Sequence, residues 1–269
     1  MRFNLTFNRT GKQRMLPMDY QYYISAWIYK VLGKADAGFA GFLHSEGYRD
    51  GMKSFKLFCF SPLNFGKPTL WKEKALFEIH QDKIMLSVSF YLPNVAERFI
   101  VGLFNNQQAY FGDRFNGLDL TVAQIERLPE AAVASIVHYK ALSPVVVSAR
   151  SEGSQYARYL SPADEGYALM VKNNLMQKWG AIPGVEPLPE TFDFEMTIIN
   201  QPKSKLVTMK PGTPQQSKVR GYVYEFDLTA PETLHRLIDS AGIGEKNSTG
   251  FGWVERNLTT FAEPVRVRM

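Results

Sequence analysis

Four glycines fall within the eleven positions Gly242-Ile243-Gly244-Glu245-Lys246-Asn247-Ser248-Thr249-Gly250-Phe251-Gly252. A residue without Cβ takes φ > 0 at little steric cost and leaves its amide uncovered, so this spacing demands a sharply turned loop able to approach another molecule closely. Amides exposed in that way suit phosphate oxygens. The flanking patterns decide which kind of loop it is. Residues 231–240 read as a helix with Leu234, Leu237, Ile238 and Ala241 on one face, and residues 251–256 read as a strand. A dinucleotide fingerprint runs strand, loop, helix, and a P-loop ends in Gly-Lys-Ser/Thr. Here the order is helix, loop, strand, and Gly250 is followed by Phe251, so both are excluded. The loop is also longer than a plain helix-to-strand connection needs.

Apolar periodicity gives the rest of the architecture. Phe3, Leu5 and Phe7 alternate with Arg2, Asn4 and Thr6, as in a half-buried strand. Pro17 and Asp19 then start a helix that buries Ile24, Trp27, Ile28, Val31 and Leu32 and stops at Gly33. A short second helix starts at Asp36 and turns Phe39, Phe42 and Leu43 inward. Strands are predicted over 54–61, 75–80 and 83–91, the last two joined by a tight turn at Gln81-Asp82. A helix capped by Asn94 and a strand over 118–125 complete a βαββαβ unit. Beyond Leu128-Pro129-Glu130 the order repeats. Strands near 132–139 and 145–148 lead to a helix over 163–179 and to an alternating strand through Phe192, Phe194, Met196 and Ile198. Strands near 205–210 and 218–228 flank the turn Pro211-Gly212-Thr213-Pro214, ahead of helix 231–240, the glycine loop and the last strand. The expected fold class is therefore α+β: two tandem ferredoxin-like (RRM-like) βαββαβ units. Residues 1–129 form the first domain, with the candidate catalytic residues, and 130–269 the second, with the glycine loop and a basic hairpin.

At 269 residues and 45% hydrophobic, the chain can bury an ordinary core in one large or two small domains. The first 14 residues carry four cations and no apolar run, so they do not read as a secretory signal, and no stretch is apolar enough to span a bilayer. The single cysteine, Cys59, lies among Leu57, Phe58 and Phe60 and reads as a small buried hydrophobe, which fits a reducing cytoplasm. The net charge is +5, and it is unevenly placed: Lys203, Lys205, Lys210, Lys218 and Arg220 fall in residues 201–220 without one acidic residue. Such a cluster is either a nucleic-acid footprint or a solvated lysine-rich loop. Asp193 and Glu195, at i and i+2, are what any solvent-facing strand edge shows, and a metal nuclease built on them is a weak reading.

The four histidines, at 44, 80, 138 and 235, lack zinc-site spacing. His80 reads as a hairpin residue, His138 as a strand residue, and His235 as lying on the polar face of its helix. His44 follows Phe42-Leu43 where the second helix must end, and from position alone it reads as a histidine facing terminal carbonyls. Tyr29 lies off the buried stripe of the first helix, in line with Tyr22.

The glycine loop near the C-terminal end resembles the signature of the CRISPR-associated endoribonucleases that cut precursor CRISPR RNA within its repeats, members of the repeat-associated mysterious protein superfamily. The resemblance extends to Met1-Arg2-Phe3, Tyr20-Gln21-Tyr22-Tyr23, Phe42-Leu43-His44 and Leu142-Ser143-Pro144-Val145-Val146-Val147. It implies a catalytic histidine at His44, joined by Tyr29 from the first helix. It implies a lysine as well, for which Lys53 is the better match and Lys56 the alternative. No metal or cofactor is implied, because the RNA supplies its own 2′-hydroxyl nucleophile. The implied products are a 5′-hydroxyl and a 2′,3′-cyclic phosphate. RNA recognition would fall to Gly242, Gly244, Lys246, Asn247, Ser248, Thr249, Gly250 and Gly252 of the loop and to the five cations of the 201–220 segment. The expected partner is CRISPR repeat RNA, with other CRISPR effector subunits as further candidates; the expected species is a monomer or homodimer in the cytoplasm, with no membrane association. Two rivals share the fold class. Gly250-Phe251-Gly252-Trp253-Val254 loosely resembles the RNP1 pattern of a non-catalytic RNA-binding module, although it follows the last helix rather than occupying a third strand. The other rival is an architectural subunit of an effector complex.

Overall fold

The computed structural model describes residues 1–130, 132–150 and 157–256; the last part of the expected second domain, 257–269, lies outside them. In the first half, strands β1 (Arg2–Arg9), β2 (Phe58–Phe60), β3 (Lys83–Phe90), β4 (Gln108–Gly112) and β5 (Gly117–Leu128) form one antiparallel sheet in the order β2-β3-β1-β5-β4. Helix α1 (Gln21–Ala35) follows β1, with α2 (Ala37–Ser45) directly behind it, and α3 (Pro93–Asn105) follows β3. Leaving out the edge strand β4, this is the βαββαβ unit with strand order 2-3-1-4. Its core is aromatic: Trp27 of α1 meets Phe7, Phe99 and Phe111 edge-on at centroid distances of 5.5, 5.9 and 5.5 Å. The α1–α3 crossing is close because α3 presents Gly102, where a Cβ would stand 2.0 Å from the Val31 carbonyl oxygen.

The second half repeats the arrangement. Strands β6 (Ile136–Ala141), β7 (Glu195–Ile198), β10 (Glu225–Thr229) and β11 (Val254–Arg256) pair in the order β7-β10-β6-β11, again 2-3-1-4. Helices α4 (Tyr167–Gly180) and α5 (Glu232–Ala241) pack with this sheet around Tyr139, Tyr224, Phe226, Val171, Leu175, Leu234 and Leu237, all buried. A separate hairpin, β8 (Lys203–Met209) and β9 (Ser217–Val223), is inserted between β7 and β10.

Several local expectations are corrected. α1 runs through Gly33 to Ala35; what ends it is Asp36, extended at φ −155°, whose carboxylate then accepts from Phe39 N at 2.9 Å and caps α2. Ala40 and Leu43 take the inward face of α2, leaving Phe42 exposed against Tyr48. The strand expected over 54–61 is broken, because Leu57 is left-handed at φ +52°; Lys53–Phe55 pairs with Tyr48–Asp50, and only Phe58–Phe60 joins the main sheet. Leu76–Glu78 does not pair with β3, whose two edges are already taken by β1 and β2; it pairs with Met15–Pro17 and Thr69–Trp71 in a small separate sheet. Asn94 is not the cap of α3, since Leu92 is the N-cap and Pro93 opens the helix. The long strand expected over 218–228 splits at Tyr224, and 145–148 is not one strand: Val145 bridges Tyr222, and Ser148 pairs with Tyr159 in a two-residue ladder. Finally, His235 is not on a polar face. It is fully buried, with Nδ1 3.0 Å from the Tyr139 hydroxyl, and burial pushes its imidazole below the usual range.

Candidate functional site

The helix carrying Tyr29 also receives the glycine loop. Ser25 Oγ donates to the Ser248 carbonyl at 2.7 Å and Gln21 Nε2 to the Gly250 carbonyl at 3.4 Å, so a C-terminal loop is fastened across to the N-terminal half. One turn beyond Ser25 lies Tyr29, half-buried, its ring edge-on to His44 at 4.9 Å and to Phe58 at 5.7 Å. Burial pushes the Tyr29 phenol up to about 12, with the Ser248 hydroxyl beside it opposing the shift. Near neutral pH the group is therefore a hydrogen-bond donor, not a base. His44 stands exposed in the last turn of α2.

The two candidate lysines are held differently. Lys53 Nζ donates to Gln177 Oε1 of α4 at 2.8 Å, which draws it toward the second half. Lys56 folds over Gly47, just past the end of α2, where an added Cβ would lie 2.9 Å from its Nζ; burial, and secondarily Arg49, push its ammonium below the usual lysine range. Lys56 thus lies beside the C-terminal end of α2, the helix that carries His44, and its Nζ donates to Ser54 Oγ at 3.4 Å.

Both lysines, Phe58 and residues 244–249 of the loop line a cleft of about 630 Å³ between the halves. Its charged lining comprises Lys53, Lys56, Arg150, Lys178 and Lys246 against a single carboxylate, Glu245. Glu245 is already engaged, accepting from Ser148 N at 3.0 Å and from Ser148 Oγ. The cleft therefore favours a polyanion.

The loop's glycines are packed closely against the protein's own backbone and side chains. A Cβ at Gly252 would lie 1.9 Å from the Ile243 carbonyl oxygen, one at Gly244 2.5 Å from that of Val146, and one at Gly242 2.7 Å from Asn247 Nδ2. At Gly250 a Cβ would crowd Gln21 and Phe60 of the other half. Gly242, Gly250 and Gly252 are buried, and the Asn247 side chain is turned inward, donating to Ile243 O and Phe251 O at 2.9 and 3.0 Å. Lys246, Ser248 and Thr249 are the side chains left facing the cleft.

Lys178 and Asn174 escaped the sequence reading. Lys178 is fully buried on α4, and its Nζ donates to Gly242 O at 2.8 Å and Gly244 O at 2.7 Å, tying the loop to the helix. Burial pushes this ammonium down to about 7, with Cys59 and Glu245 partly opposing. The available signal was their spacing: Val171, Asn174, Leu175 and Lys178 fall at i, i+3, i+4 and i+7, two polar residues on a buried stripe.

The basic segment does not form one patch. In the β8–β9 register Lys203 and Lys205 share a face with Val207, Met209 and Val219, which pack on Val146 and Phe251. Lys218 and Arg220 project from the opposite face with Leu206, and Lys210 sits in the turn at φ +50°.

Two 2-3-1-4 sheets, with a cationic cleft lined from both halves and a glycine-rich loop fastened across to α1, define a tandem ferredoxin-like protein. The comparisons with known proteins make the assignment specific. The family described as CRISPR-associated protein Cas6, N-terminal, matches residues 15–124, and that described as CRISPR associated protein Cas6, C-terminal, matches residues 128–256. The chain belongs to the Cas6 family. It is 28% identical to the CRISPR-associated endoribonuclease Cas6 of Pyrococcus furiosus, over 97% of this chain and 92% of the relative. It is 25% identical to the CRISPR-associated endoribonuclease Cas6 1 of Methanocaldococcus jannaschii, over 91% and 89%. The structure of a Cas6-related gene product from Pyrococcus furiosus superposes with a TM-score of 0.80 at 23% identity, covering 96% of this chain and 99% of the other, which shows the shared fold.

Proposed function

We propose that the protein is the endoribonuclease that cuts CRISPR repeat RNA in precursor transcripts to release guide RNAs. The observation that carries this reading is the Tyr29–His44 pair, 4.9 Å apart beside the cationic cleft of a Cas6-family chain. The 2′-hydroxyl next to the scissile phosphate attacks phosphorus and expels the 5′-oxygen, leaving a 2′,3′-cyclic phosphate and a 5′-hydroxyl. His44, with an imidazole exposed to substrate, exchanges the protons this requires. Tyr29 donates a hydrogen bond that orients the reacting oxygens, and a lysine stabilises the charge developing on the phosphoryl group. Position supports Lys56 for that role over Lys53, because Lys53 is engaged by Gln177. Residues 1–129 and 130–269 are taken as the two domains. The enzyme works as a monomer or homodimer in the cytoplasm; the described helices include none long and apolar enough to cross a membrane.

The test uses repeat RNA in excess EDTA beside a copy with a single 2′-deoxy substitution at the mapped cut. Cleavage of the first and not the second is the expected result; loss of activity in EDTA alone would sink the mechanism. The split hairpin gives a second expectation. Removing Lys218 and Arg220 together should flatten the salt dependence of RNA binding by roughly one to two counterions, and removing Lys203 and Lys205 should do so only if RNA follows the other face. Unchanged slopes in both double variants would take the hairpin out of the interface.

A further inference from the structure

The floor of the cleft holds a polar group without a partner. Asn174 is 7% exposed and lines the cleft, yet its Oδ1 meets no donor among the described residues. Among the described residues, the other buried side-chain atoms left unpaired, on Arg2, Arg9, Trp27 and Trp253, are all N–H donors, and Asn174 supplies the one acceptor. Desolvating an acceptor without a hydrogen bond is unfavourable, and such a group in a native fold calls for an explanation. Lys178, one turn further along α4, does not relieve it, because its ammonium is directed to the carbonyls of Gly242 and Gly244.

We infer that the Asn174 amide reads RNA: it hydrogen-bonds the edge of one unpaired nucleobase lying in the cleft. This rests on the proposed function, since it requires RNA to occupy that cleft. The chemistry favours a base over a phosphate or sugar. A side-chain amide is neutral and presents an acceptor and donors in one plane, which is the pattern of a nucleobase edge. Phosphates are served instead by the cations around it, Lys53, Lys56 and Lys246. The base must be unpaired, because an A-form duplex hides its base edges in a groove too narrow for side chains, whereas a splayed single strand exposes them.

The test is Asn174→Leu, similar in size and without the amide. Because Oδ1 has no partner to lose, the melting temperature of the free protein should stay level or rise. Affinity for repeat RNA should fall about tenfold, the scale of one base contact. A scan of repeat RNAs, each with a single abasic position, should locate the contact. At one nucleotide, removing the base weakens the wild type by about the same factor and weakens the variant no further. If Asn174→Leu folds poorly, Asn174→Ala, which removes the amide without adding apolar bulk, replaces it in the same scan. Wild-type affinity in the variant, or losses that add at every abasic position, would overturn the assignment while leaving the proposed function standing. Failure of the wild-type protein to bind repeat RNA would remove both.

Discussion

His44→Ala is expected to lower the single-turnover rate of repeat cleavage at least about 10²-fold, the contribution typical of a positioned acid or base. RNA affinity should change by no more than about threefold, which places the loss in the chemical step. The structure separates those two readouts. His44 is exposed, its ring meets Tyr29 edge-on, and the loop is anchored to α1 by Ser25 and Gln21 instead. Removing the imidazole therefore leaves the cleft and its cations in place. His235→Ala is the informative control. That ring is buried against Tyr139 at 5.8 Å, so its loss should lower the melting temperature and leave the rate per folded molecule intact. The same assay divides the lysines: Lys56→Ala should reduce the rate, and Lys53→Ala, which breaks the bond to Gln177, should affect binding more than rate. Cleavage by His44→Ala at the wild-type rate would end the assignment.

The element order was legible because it follows from apolar period: Phe3, Leu5 and Phe7 on one side of β1, and Ile24, Trp27, Ile28, Val31 and Leu32 on one side of α1, are all buried as the spacing requires. What periodicity cannot show is which strand finds which edge. Leu76–Glu78 alternates well enough, but pairing with β3 was closed to it by β1 and β2, contacts made far away in the chain. Edge strand β4 was missed for a related reason: only Ala109 and Phe111 are buried in it, too short a signal to stand alone. At the site, Tyr29 and His44 were nominated by helix geometry and resemblance, and the structure brings their rings together. Lys178 and Asn174 were invisible because a polar residue on an apolar stripe has meaning only once its neighbours are known; the carbonyls that Lys178 holds are 64 and 66 residues away. His235 misled for the mirror reason, since its partner Tyr139 lies 96 residues upstream.

Gly252→Ala should be the most destabilising single change in the loop, by at least about 3 kcal/mol, because backbone strain and a backbone clash act together. Gly252 sits at φ +70°, and a methyl there would stand 1.9 Å from the Ile243 carbonyl oxygen and 2.5 Å from Asn247 Nδ2. Neither neighbour can withdraw cheaply. Ile243 N donates to Gly252 O at 3.0 Å, Gly252 N donates to Pro144 O at 2.9 Å, and Asn247 Nδ2 is committed to Ile243 O and Phe251 O. Gly184→Ala isolates the strain alone: its φ is +69°, but nothing lies within 4 Å of the added methyl, so its cost should be about 1 kcal/mol. Comparing the two in denaturant melts measures the packing contribution by difference, and equal losses would disprove it. Because the displaced loop also carries Ser248 and Gly250, which meet Ser25 and Gln21 on the helix of Tyr29, Gly252→Ala should weaken RNA binding and slow cleavage together. Gly184→Ala should do neither, and that contrast ties the glycine spacing to the joining of the two halves rather than to flexibility of the loop.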